Sequence, residues 1–482
     1  MPQKIFELYG DDWMKGMSLR TSSAIGGLFS SSSNFNPFEI AGMMQCSLAI
    51  ATASNLSITT TPRVITGFQA SGTAKLYVQS DTKLYEVLDG TPWTTTDKTA
   101  EITVTGGCRG AIIYKDKYVY SLNNQLRANA LPVASGSDVQ ILGGYNSDSM
   151  YHSMCVGADK NLYVSDYSGV AKITSVTGTA GNSTDAFNLE SGMIVRDLVN
   201  DGRYLVLIAD NNQSSLGSTP SVPVSGKFRC QVAFWDMAKG TADQLYEFTD
   251  SYLIGAKILD GAIYVFGGDN LYVCNISTPP KAIFSFKSGS TITEKPQTAF
   301  QITQAQNSIY WCGQTNGNIF AYGSLFPGMK KVFYQPFSAA YTPSAIMTNS
   351  SNFYIGTNGT DNFLQVTDTG STRNTGSVIT APIILPNPYQ FDFIKVVMRE
   401  PLVSGDNINA YMTNHQKTIT DSNSKSFAQI GAKQTVLFDR KALGSTADVE
   451  YFEDFQLIIT SNRAVARVEV WGTPIPQYSQ VI

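Results

Sequence analysis

The sequence predicts an all-β protein, made of a seven-bladed β-propeller with an extended N-terminal arm and a C-terminal jelly-roll-like β-sandwich. Three observations lead to this prediction. A short aliphatic-Tyr-aliphatic pattern recurs at even spacing, a turn rich in Asp, Asn or Gly precedes most copies, and the pattern stops before each end of the chain. The predicted boundaries are 1–58 for the arm, 59–376 for the propeller and 377–482 for the sandwich.

The repeat sets the architecture. Its marker tyrosines are separated by 41, 45, 41, 60, 46 and 44 residues, which is the period of a four-stranded propeller blade. Alternation of aromatic and β-branched residues suits strands that pack face to face, so the tyrosines are predicted to be structural. The seven markers are Tyr77, Tyr118, Tyr163, Tyr204, Tyr264, Tyr310 and Tyr354.

One interval is longer than the others. It contains residues 211–227, a stretch of 17 residues rich in Ser, Pro, Gly and Asn, and without them the interval falls to 43. This stretch is predicted to be an inserted loop. The long interval also leaves open a division into six blades plus an irregular one.

The turns before the markers have a mechanical explanation. Asn, Asp and Gly tolerate the positive φ angles that tight hairpins require, and such residues stand at 115–117, 158–160, 201–202 and 260–261. Each turn is predicted to join two antiparallel strands. Because propeller rings are usually closed by a strand from one terminus, residues 57–65 are the candidate closing strand.

Both ends of the chain depart from the repeat. Residues 19–36 are rich in Ser and Gly, and as a free tail the arm should be disordered. Near residue 377 the composition changes, and Pro382, Pro386 and Pro388 indicate a linker. Alternating segments at 391–398, 408–411, 435–438, 455–459 and 466–470 predict the strands of the sandwich.

Composition argues against several classes of function. Charged residues make up 15% of the chain, against roughly 25% in an average soluble protein, and the net charge is -4. Such a chain lacks the basic patch of nucleic-acid-binding proteins. Asp11 and Asp12 interrupt any signal peptide, and no stretch approaches the roughly 18 apolar residues of a membrane span. Synthesis and assembly in a cytoplasm are expected.

No local motif predicts chemistry. The six cysteines are at least 38 residues apart, which favours reduced, buried thiols over metal ligands or disulfides. Only His152 and His415 are present, so a paired histidine ligand cannot be drawn. A propeller glycosidase would need two facing carboxylates, and the acidic residues are scattered. We therefore predict no enzymatic activity, no catalytic residue, no cofactor and no metal.

The order of arm, degenerate propeller, proline-rich joint and small sandwich resembles structural proteins of tailed bacteriophages. The resemblance spans the whole chain, and its strongest local pieces are Asn36-Pro37-Phe38 and residues 455–470. It implies a non-enzymatic virion component of a tail, neck or nozzle assembly, present in multiple copies or as a ring and bound to other virion proteins. The alternative is a receptor-binding or glycan-binding module of a tail tip or fibre, with a host surface glycan as its partner.

Low charge and abundant Tyr and Asn suit protein-protein contacts, because aromatic side chains give contact area with little loss of entropy. The predicted contact elements are residues 30–44 of the arm, the inserted loop at 211–227 and the C-terminal tail at 474–482. Within them, the candidate contact residues are Phe35, Asn36, Pro37, Phe38, Met43, Met44, Leu216, Val222 and Tyr478.

Overall fold

The fold is described from a computed structural model of the chain. It describes residues 1–17, 29–53, 56–70, 73–88, 93–105, 107–122, 124–144, 151–212, 227–286, 295–313, 317–339, 341–349, 352–359, 364–367, 373–413, 424–439 and 451–475. Almost all regular structure is β, as predicted. Helices within this part are limited to the four-residue α1 (Phe427–Ile430) and three 3₁₀ turns at Gly10–Lys15, Thr99–Glu101 and Ala299–Gln301.

The chain divides into two compact units. The propeller unit comprises Ile50–Asn318 and Ala339–Thr367, and the sheet unit comprises Met1–Ala49, Ile319–Ser338 and Asp368–Ile482. The predicted boundaries at 58 and 376 therefore do not coincide with these units. The sheet unit is built from both ends of the chain, and the propeller is inserted between them.

The chain begins with β1 (Gln3–Tyr9), β2 (Phe29–Ser33) and β3 (Ile50–Thr52). Four-stranded antiparallel sheets follow in order. They are β4 (Val64–Ala70), β5 (Thr73–Gln79), β6 (Leu84–Leu88) and β7 (Thr94–Asp97); β8 (Gly110–Tyr114), β9 (Lys117–Ser121), β10 (Gln125–Ala130) and β11 (Val139–Gly143); β12 (Met154–Val156), β13 (Leu162–Asp166), β14 (Gly169–Ile173) and β15 (Ser183–Asn188); and β16 (Ile194–Asn200), β17 (Leu205–Asp210), β18 (Cys230–Trp235) and β19 (Gln244–Phe248).

Three more sheets complete the series. They are β20 (Leu253–Leu259), β21 (Ala262–Gly267), β22 (Asn270–Asn275) and β23 (Thr278–Ser285); β24 (Ile302–Ala305), β25 (Ser308–Cys312), β26 (Asn318–Gly323) and β27 (Val332–Ser338); and β28 (Pro343–Thr348), β29 (Phe353–Thr357) and β30 (Leu364–Thr367), to which β3 adds the fourth strand.

The repeat corresponds to the second strand of each sheet. Every marker tyrosine lies in that strand or directly before it, and each is buried, with at most 6% of its surface exposed. Several of their hydroxyls have described hydrogen-bond partners within the fold: Glu86 for Tyr77, Gln79 for Tyr118, Asp159 for Tyr163 and Asn349 for Tyr354. Their structural role is therefore confirmed.

The hairpin turns also follow the prediction. Lys115 and Asp116 both have positive φ, at 47° and 56°, and so do Asp260 and Gly261, at 51° and 72°. Two consecutive residues of this kind form the type of turn whose twist matches antiparallel strands. The inserted loop lies between β17 and β18, where Asn211 N donates to Arg229 O at 3.1 Å; residues 213–226 lie outside the described part.

The propeller unit has six complete four-stranded blades, where the sequence predicted seven between 59 and 376. The sheet of β24–β27 is divided, because nearly all of β26 and all of β27 belong to the sheet unit. Backbone bonds explain that assignment. Met17 N donates to Phe333 O at 2.8 Å, and Phe35 N donates to Gln335 O at 3.0 Å, so the N-terminal segment holds β27.

Closure of the propeller differs from the prediction. The strand from the N-terminal side is β3, which pairs antiparallel with β30 from Ile50↔Thr367 to Thr52↔Gln365. Residues 57–65, the predicted closing strand, instead lead into β4, the inner strand of the first blade. The physical reason is spacing: β4 is required as the partner of β5, so only an earlier segment can reach β30.

The sheet unit continues with β31 (Gly376–Thr380), β32 (Ile383–Met398), β33 (Asn407–Thr413), β34 (Lys425–Ser426), β35 (Thr435–Asp439), β36 (Tyr451–Ser461) and β37 (Val465–Pro474). All five predicted C-terminal strands lie within these elements. The predicted linker is wrong: Pro386 and Pro388 lie inside β32, where the pairing with β36 breaks between Ile384 and Tyr389. Proline cannot donate to a ladder, which explains the break.

The predicted jelly-roll-like sandwich is corrected to a single curled sheet shaped as a half-barrel. Its strand order is β1-β37-β32-β36-β31-β2, with β35 on β32 and β33 and β34 branching from β36. A sandwich needs two separate sheets. Here β32 pairs with β35, β36 and β37 along its 16 residues, which joins all the strands into one sheet around one core.

The predicted free arm is likewise corrected, because its two strands form both ends of that sheet order. Trp13 is fully buried, stacks on Phe29 with ring centroids 6.0 Å apart, and donates from Nε1 to Ala466 O at 3.2 Å. Leu8 and Met44 are also fully buried in the same core. Apolar side chains at these positions complete the half-barrel core, so the segment folds with the chain itself.

Candidate functional site

The centre of the propeller unit is lined by the first strand of each sheet. Strands β4, β8, β12, β16, β20, β24 and β28 contact one another in chain order, and β28 returns to β4. Neighbouring inner strands approach closely: His152 N donates to Arg109 O at 2.8 Å, directly before Gly110. This closed ring of strands positions the polar side chains described below.

Asp197 connects three neighbouring blades. It lies on β16 with 3% of its surface exposed. Its carboxylate accepts the hydroxyl of Ser153, which precedes β12, at 2.5 Å, and the backbone N–H of Ala256 on β20 at 2.8 Å. It also accepts Leu198 N at 2.9 Å. A buried carboxylate is stable only when bonded in this way, so Asp197 is a clamp between blades.

Arg196 and Asp210 form a second clamp. The guanidinium donates to both carboxylate oxygens, at 3.0 and 2.9 Å, and the two side chains are 2% and 1% exposed. Asp210 also accepts Leu253 N of the next blade at 2.6 Å. The pair is a bidentate, fully desolvated ion pair whose carboxylate ties β17 to β20.

Asp250 forms a third polar centre, at the start of the next blade. It accepts Tyr272 Oη at 2.9 Å, Asp269 N at 2.9 Å and Ser251 N at 2.6 Å. Burial raises the pKa of its carboxyl above the ordinary value, and the Tyr272 hydroxyl bond opposes that rise. Burial also raises the pKa of Tyr272. Asp250 therefore fixes the connection between blades.

An axial cavity of about 120 Å³ lies among these strands. Its walls come from several consecutive blades and combine ionisable with apolar groups. They comprise Ala111, Tyr151, His152, Ser153, Met154, Arg196, Asp197, Leu198, Ile254, Lys257, Ala299 and Phe300. Burial, with a smaller contribution from the positive charge of Arg109, lowers the pKa of His152 to about 3, so this histidine is neutral at physiological pH.

Gly110, the first residue of β8, lies directly against the backbone of the neighbouring blade. A Cβ on Gly110 would meet the carbonyl oxygen of His152 well inside van der Waals contact, whereas one on Gly240 would meet nothing within 4 Å. We expect Gly110→Ala to lower the free energy of unfolding of the propeller by about 1–3 kcal/mol through overpacking, and Gly240→Ala to leave it nearly unchanged. Denaturant titration of both variants checks this; equal stabilities would show that the two blades can separate without cost.

A larger cleft of about 490 Å³ lies in the sheet unit. Its arginines have carboxylate partners: Arg373 Nη1 lies 2.6 Å from Glu39 Oε1, and Arg463 Nε lies 2.6 Å from Asp406 Oδ2. Arg373 also donates to Cys46 O at 2.6 Å. The cleft is polar, and both arginines are balanced by ion pairs, of which Arg373–Glu39 joins the N-terminal segment to the C-terminal part of the chain.

The cysteines are free thiols, as predicted, and all except the half-buried Cys155 are buried. Burial raises their pKa values, to about 11 for Cys46 and about 12 for Cys108, Cys155 and Cys274, with Cys230 and Cys312 also raised. Thiols with raised pKa values are poor nucleophiles. Within the described residues, no group of three or more His, Cys, Asp or Glu side chains could hold a metal ion.

The predicted contact residues fall into two groups. Phe35, Pro37 and Met44 are buried, and the side chains of Phe35 and Met44 belong to the core of the sheet unit; Asn36, Phe38 and Met43 are half-buried. Phe38 packs edge-on against Tyr334 with centroids 5.4 Å apart. Burial in this core accounts for the side chains of Phe35 and Met44, and a contact of these residues with a partner stays a prediction. Leu216, Val222 and Tyr478 lie outside the described residues.

An exposed apolar turn was missed by sequence reasoning. Phe326 and Met329 are 60% and 46% exposed in the loop between β26 and β27. Met329 N donates to Phe326 O at 3.3 Å, and Gly328 has a φ of +79°, so the intervening Pro327-Gly328 forms a tight turn. The sequence did offer a signal for this turn, because Pro-Gly stands between two large apolar residues directly before the basic pair Lys330-Lys331.

No protein-family model matches the sequence, and neither does any curated protein. Among solved structures, virginiamycin B lyase from Staphylococcus aureus matches 67% of this chain and 99% of its own, at 13% identity and a TM-score of 0.44. The Neurospora crassa Pan2 WD40 domain matches 68% of this chain and 96% of its own, at 9% identity and a TM-score of 0.44. The Dos1 propeller matches 66% of this chain and 94% of its own, at 12% identity and a TM-score of 0.41.

No helix in the described part of the chain is long and apolar enough to cross a membrane.

Proposed function

We propose that the chain is a non-enzymatic structural component of a tailed-phage virion, in a tail, neck or nozzle assembly. In this role the propeller is a rigid platform for other virion proteins. One observation carries the proposal: buried carboxylates at the centre of the propeller join one blade to the next. Asp197 bonds to Ser153 and Ala256, and Asp210 bonds to Leu253.

Buried carboxylate bonds between blades suit a virion component that must transmit mechanical force without changing its shape. Moving one blade against the next would leave a buried charge without its partner, and that loss is among the most expensive a protein interior can suffer. Within the sheet unit, β1 is bonded along β37 from Gln3↔Gly472 to Tyr9↔Arg467. Both ends of the chain are thereby held in the same sheet.

We further propose that the ring is seven-bladed, with the divided sheet β24–β27 as one of the blades. The cyclic order of the seven inner strands supports this count, and so does the presence of Tyr310 on β25 at the same position as the other marker tyrosines. An experimental density map of the purified chain tests the count. Six sheets around the axis, with β24 outside the ring, would refute it.

The partner surface is proposed to include the Phe326–Met329 turn, because large exposed apolar side chains on a rigid turn suit the centre of an interface. We expect Phe326→Ser to reduce incorporation of the chain into particles with little change in its melting temperature, since the residue is 60% exposed. Quantitative mass spectrometry of particles measures incorporation. Leu245→Ser, which changes a leucine 44% exposed on β19, is the control; an equal effect of both variants would remove the turn from the interface.

The proposal is tested with a phage that encodes this chain and carries an early stop codon in its gene. Grown in a non-suppressing host, it should yield particles arrested before the tail or neck is complete, and supply of the chain from a plasmid should restore them. Complete, infectious particles that lack the chain would refute a structural role. A glycan array with the purified chain tests the alternative role in receptor binding, for which saturable binding to one glycan class is required.

A further inference from the structure

The wall of the axial cavity contains a lysine without a direct ion pair among the described residues. Lys257 lies on β20 and is half-buried in the cavity wall. Within the described part of the chain, no carboxylate oxygen lies within the 4.0 Å of an ion pair from its ammonium group. An ammonium group in a cavity wall without an ion-pair partner can donate charge-assisted hydrogen bonds to an anion beside it.

The Asp197 carboxylate, which lies in the same cavity wall, is already engaged in hydrogen bonds. Asp197 accepts one hydroxyl and two backbone N–H groups, which are bonds that hold three blades in place. Turning this carboxylate toward Lys257 would leave buried donors unpaired, at a free-energy cost that an ion pair near the surface would not recover. Lys257 therefore has no direct ion-pair partner among the described residues and its ammonium can contact a ligand, while Asp197 keeps its negative charge in the same wall.

A hydroxyl donor lies in the same cavity. Tyr151 accepts Arg63 Nη1 at 2.9 Å and packs edge-on against Phe300 with centroids 5.4 Å apart. Its own O–H proton has no acceptor among the described residues. Burial raises the pKa of Tyr151, so its hydroxyl is protonated at physiological pH and can donate a hydrogen bond.

Among the charged groups in and beside the cavity wall, positive charges outnumber negative ones, with Arg63, Arg109, Arg196 and Lys257 against Asp81, Asp197 and Asp210. Arg196 is held by Asp210, which makes that pair neutral, and Arg63 lies 3.3 Å from Asp81. His152 is neutral and Arg109 adds positive charge beside it. The cavity volume of about 120 Å³ is several times the roughly 30 Å³ share of one water molecule in the liquid, which is enough for an ion of a few heavy atoms.

We propose that the axial cavity binds a small oxyanion, with the Lys257 ammonium as its charge partner and the Tyr151 hydroxyl as a hydrogen-bond donor. The anion is either a free tetrahedral ion such as phosphate or the carboxylate of an acidic side chain that a partner protein inserts along the propeller axis. This inference rests on the propeller unit alone, and the virion assignment can fail without affecting it.

Isothermal titration calorimetry of the purified full chain with inorganic phosphate, and separately with acetate, tests the proposal at constant pH and ionic strength. We expect saturable binding with one site per chain. Lys257→Met should weaken it roughly tenfold or more, because a charge-assisted bond is lost, and Lys257→Arg should largely retain it. Preference for phosphate indicates a free ion, and equal or better binding of acetate indicates a carboxylate side chain.

Lys281→Met is the matched control, since it removes the same charge from an exposed position on the outer strand β23. It should bind both ions as the wild type does. Melting temperatures without ligand show whether each variant is folded, and Tyr151→Phe gives a second variant that keeps the cavity charge. The proposal is overturned if the wild type shows no saturable binding of either ion, or if Lys257→Met binds as tightly as Lys281→Met does.

Discussion

Asp210→Ala is expected to lower the free energy of unfolding of the propeller by about 3–5 kcal/mol, because it leaves the Arg196 guanidinium buried without its counter-charge. The pair is 2% and 1% exposed, so water cannot replace the lost carboxylate. The backbone N–H of Leu253 also loses its acceptor. Hydrogen exchange of the β16 and β17 amides is the measurement, since it reports on the propeller separately from the sheet unit.

Asp243→Ala is the control for this prediction, because it removes a carboxylate that pairs with exposed Lys239 on the surface. It should not change exchange in β16 and β17 measurably. The double variant Arg196→Met, Asp210→Leu should recover most of the loss, since apolar side chains of similar volume can replace a buried ion pair. If Asp210→Ala and Asp243→Ala behave alike, the clamp between blades does not contribute to rigidity.

Trp13→Ala is expected to destabilise the sheet unit by about 3–5 kcal/mol, the usual cost of emptying a large aromatic site in a core. The fully buried ring stacks on Phe29, and its Nε1 donates to Ala466 O. Limited proteolysis and hydrogen exchange of β37 measure the effect, which should be confined to the sheet unit. Protection of the propeller amides should be unchanged.

Tyr9→Ser is the matched control, because Tyr9 lies on β1 with 62% of its surface exposed. It should leave the protection of β37 close to that of the wild type. A free N-terminal arm would give the opposite pattern: Trp13→Ala would have no effect, and residues 1–17 of the isolated wild-type chain would be cleaved rapidly. That result would restore the arm as a partner-binding element.

The blade strands were predictable because each carries its own local signal. A turn such as Lys115-Asp116 requires positive φ, and the strand after it alternates residues that fill a pleated surface, as at Tyr118. Both requirements act within about ten residues of chain. The C-terminal strands were predictable for the same reason, and only their arrangement into sheets was not.

The destination of the N-terminal segment was not predictable from local pattern. The strand sequence of β2, Phe-Ser-Ser-Ser-Ser, has a polar composition typical of a tail, and it becomes a strand because β31 offers it a free edge. Phe29 then enters a core whose other residues lie more than 340 positions away, apart from those of the same segment. Composition cannot indicate such a partner.

The axial cavity could not be predicted from local sequence pattern either. In the sequence, each of its polar residues is isolated among strand residues. Only the circular order of the inner strands brings His152, Arg196 and Lys257 to one cavity. No spacing rule relates residues on different blades, because each blade can lengthen its outer loops without moving its inner strand. The candidate site could therefore be found only from the folded chain.

The sequence by itself determined that the chain is all-β, that a repeat of about 44 residues forms propeller blades, and that its tyrosines are structural, since hairpin geometry and strand alternation are local properties. Tertiary structure decided that six blades are complete in the propeller unit, that β3 closes the propeller, and that the supposed arm and sandwich form one half-barrel. These outcomes depend on which strand edges and apolar surfaces meet, and that meeting is a property of the whole chain.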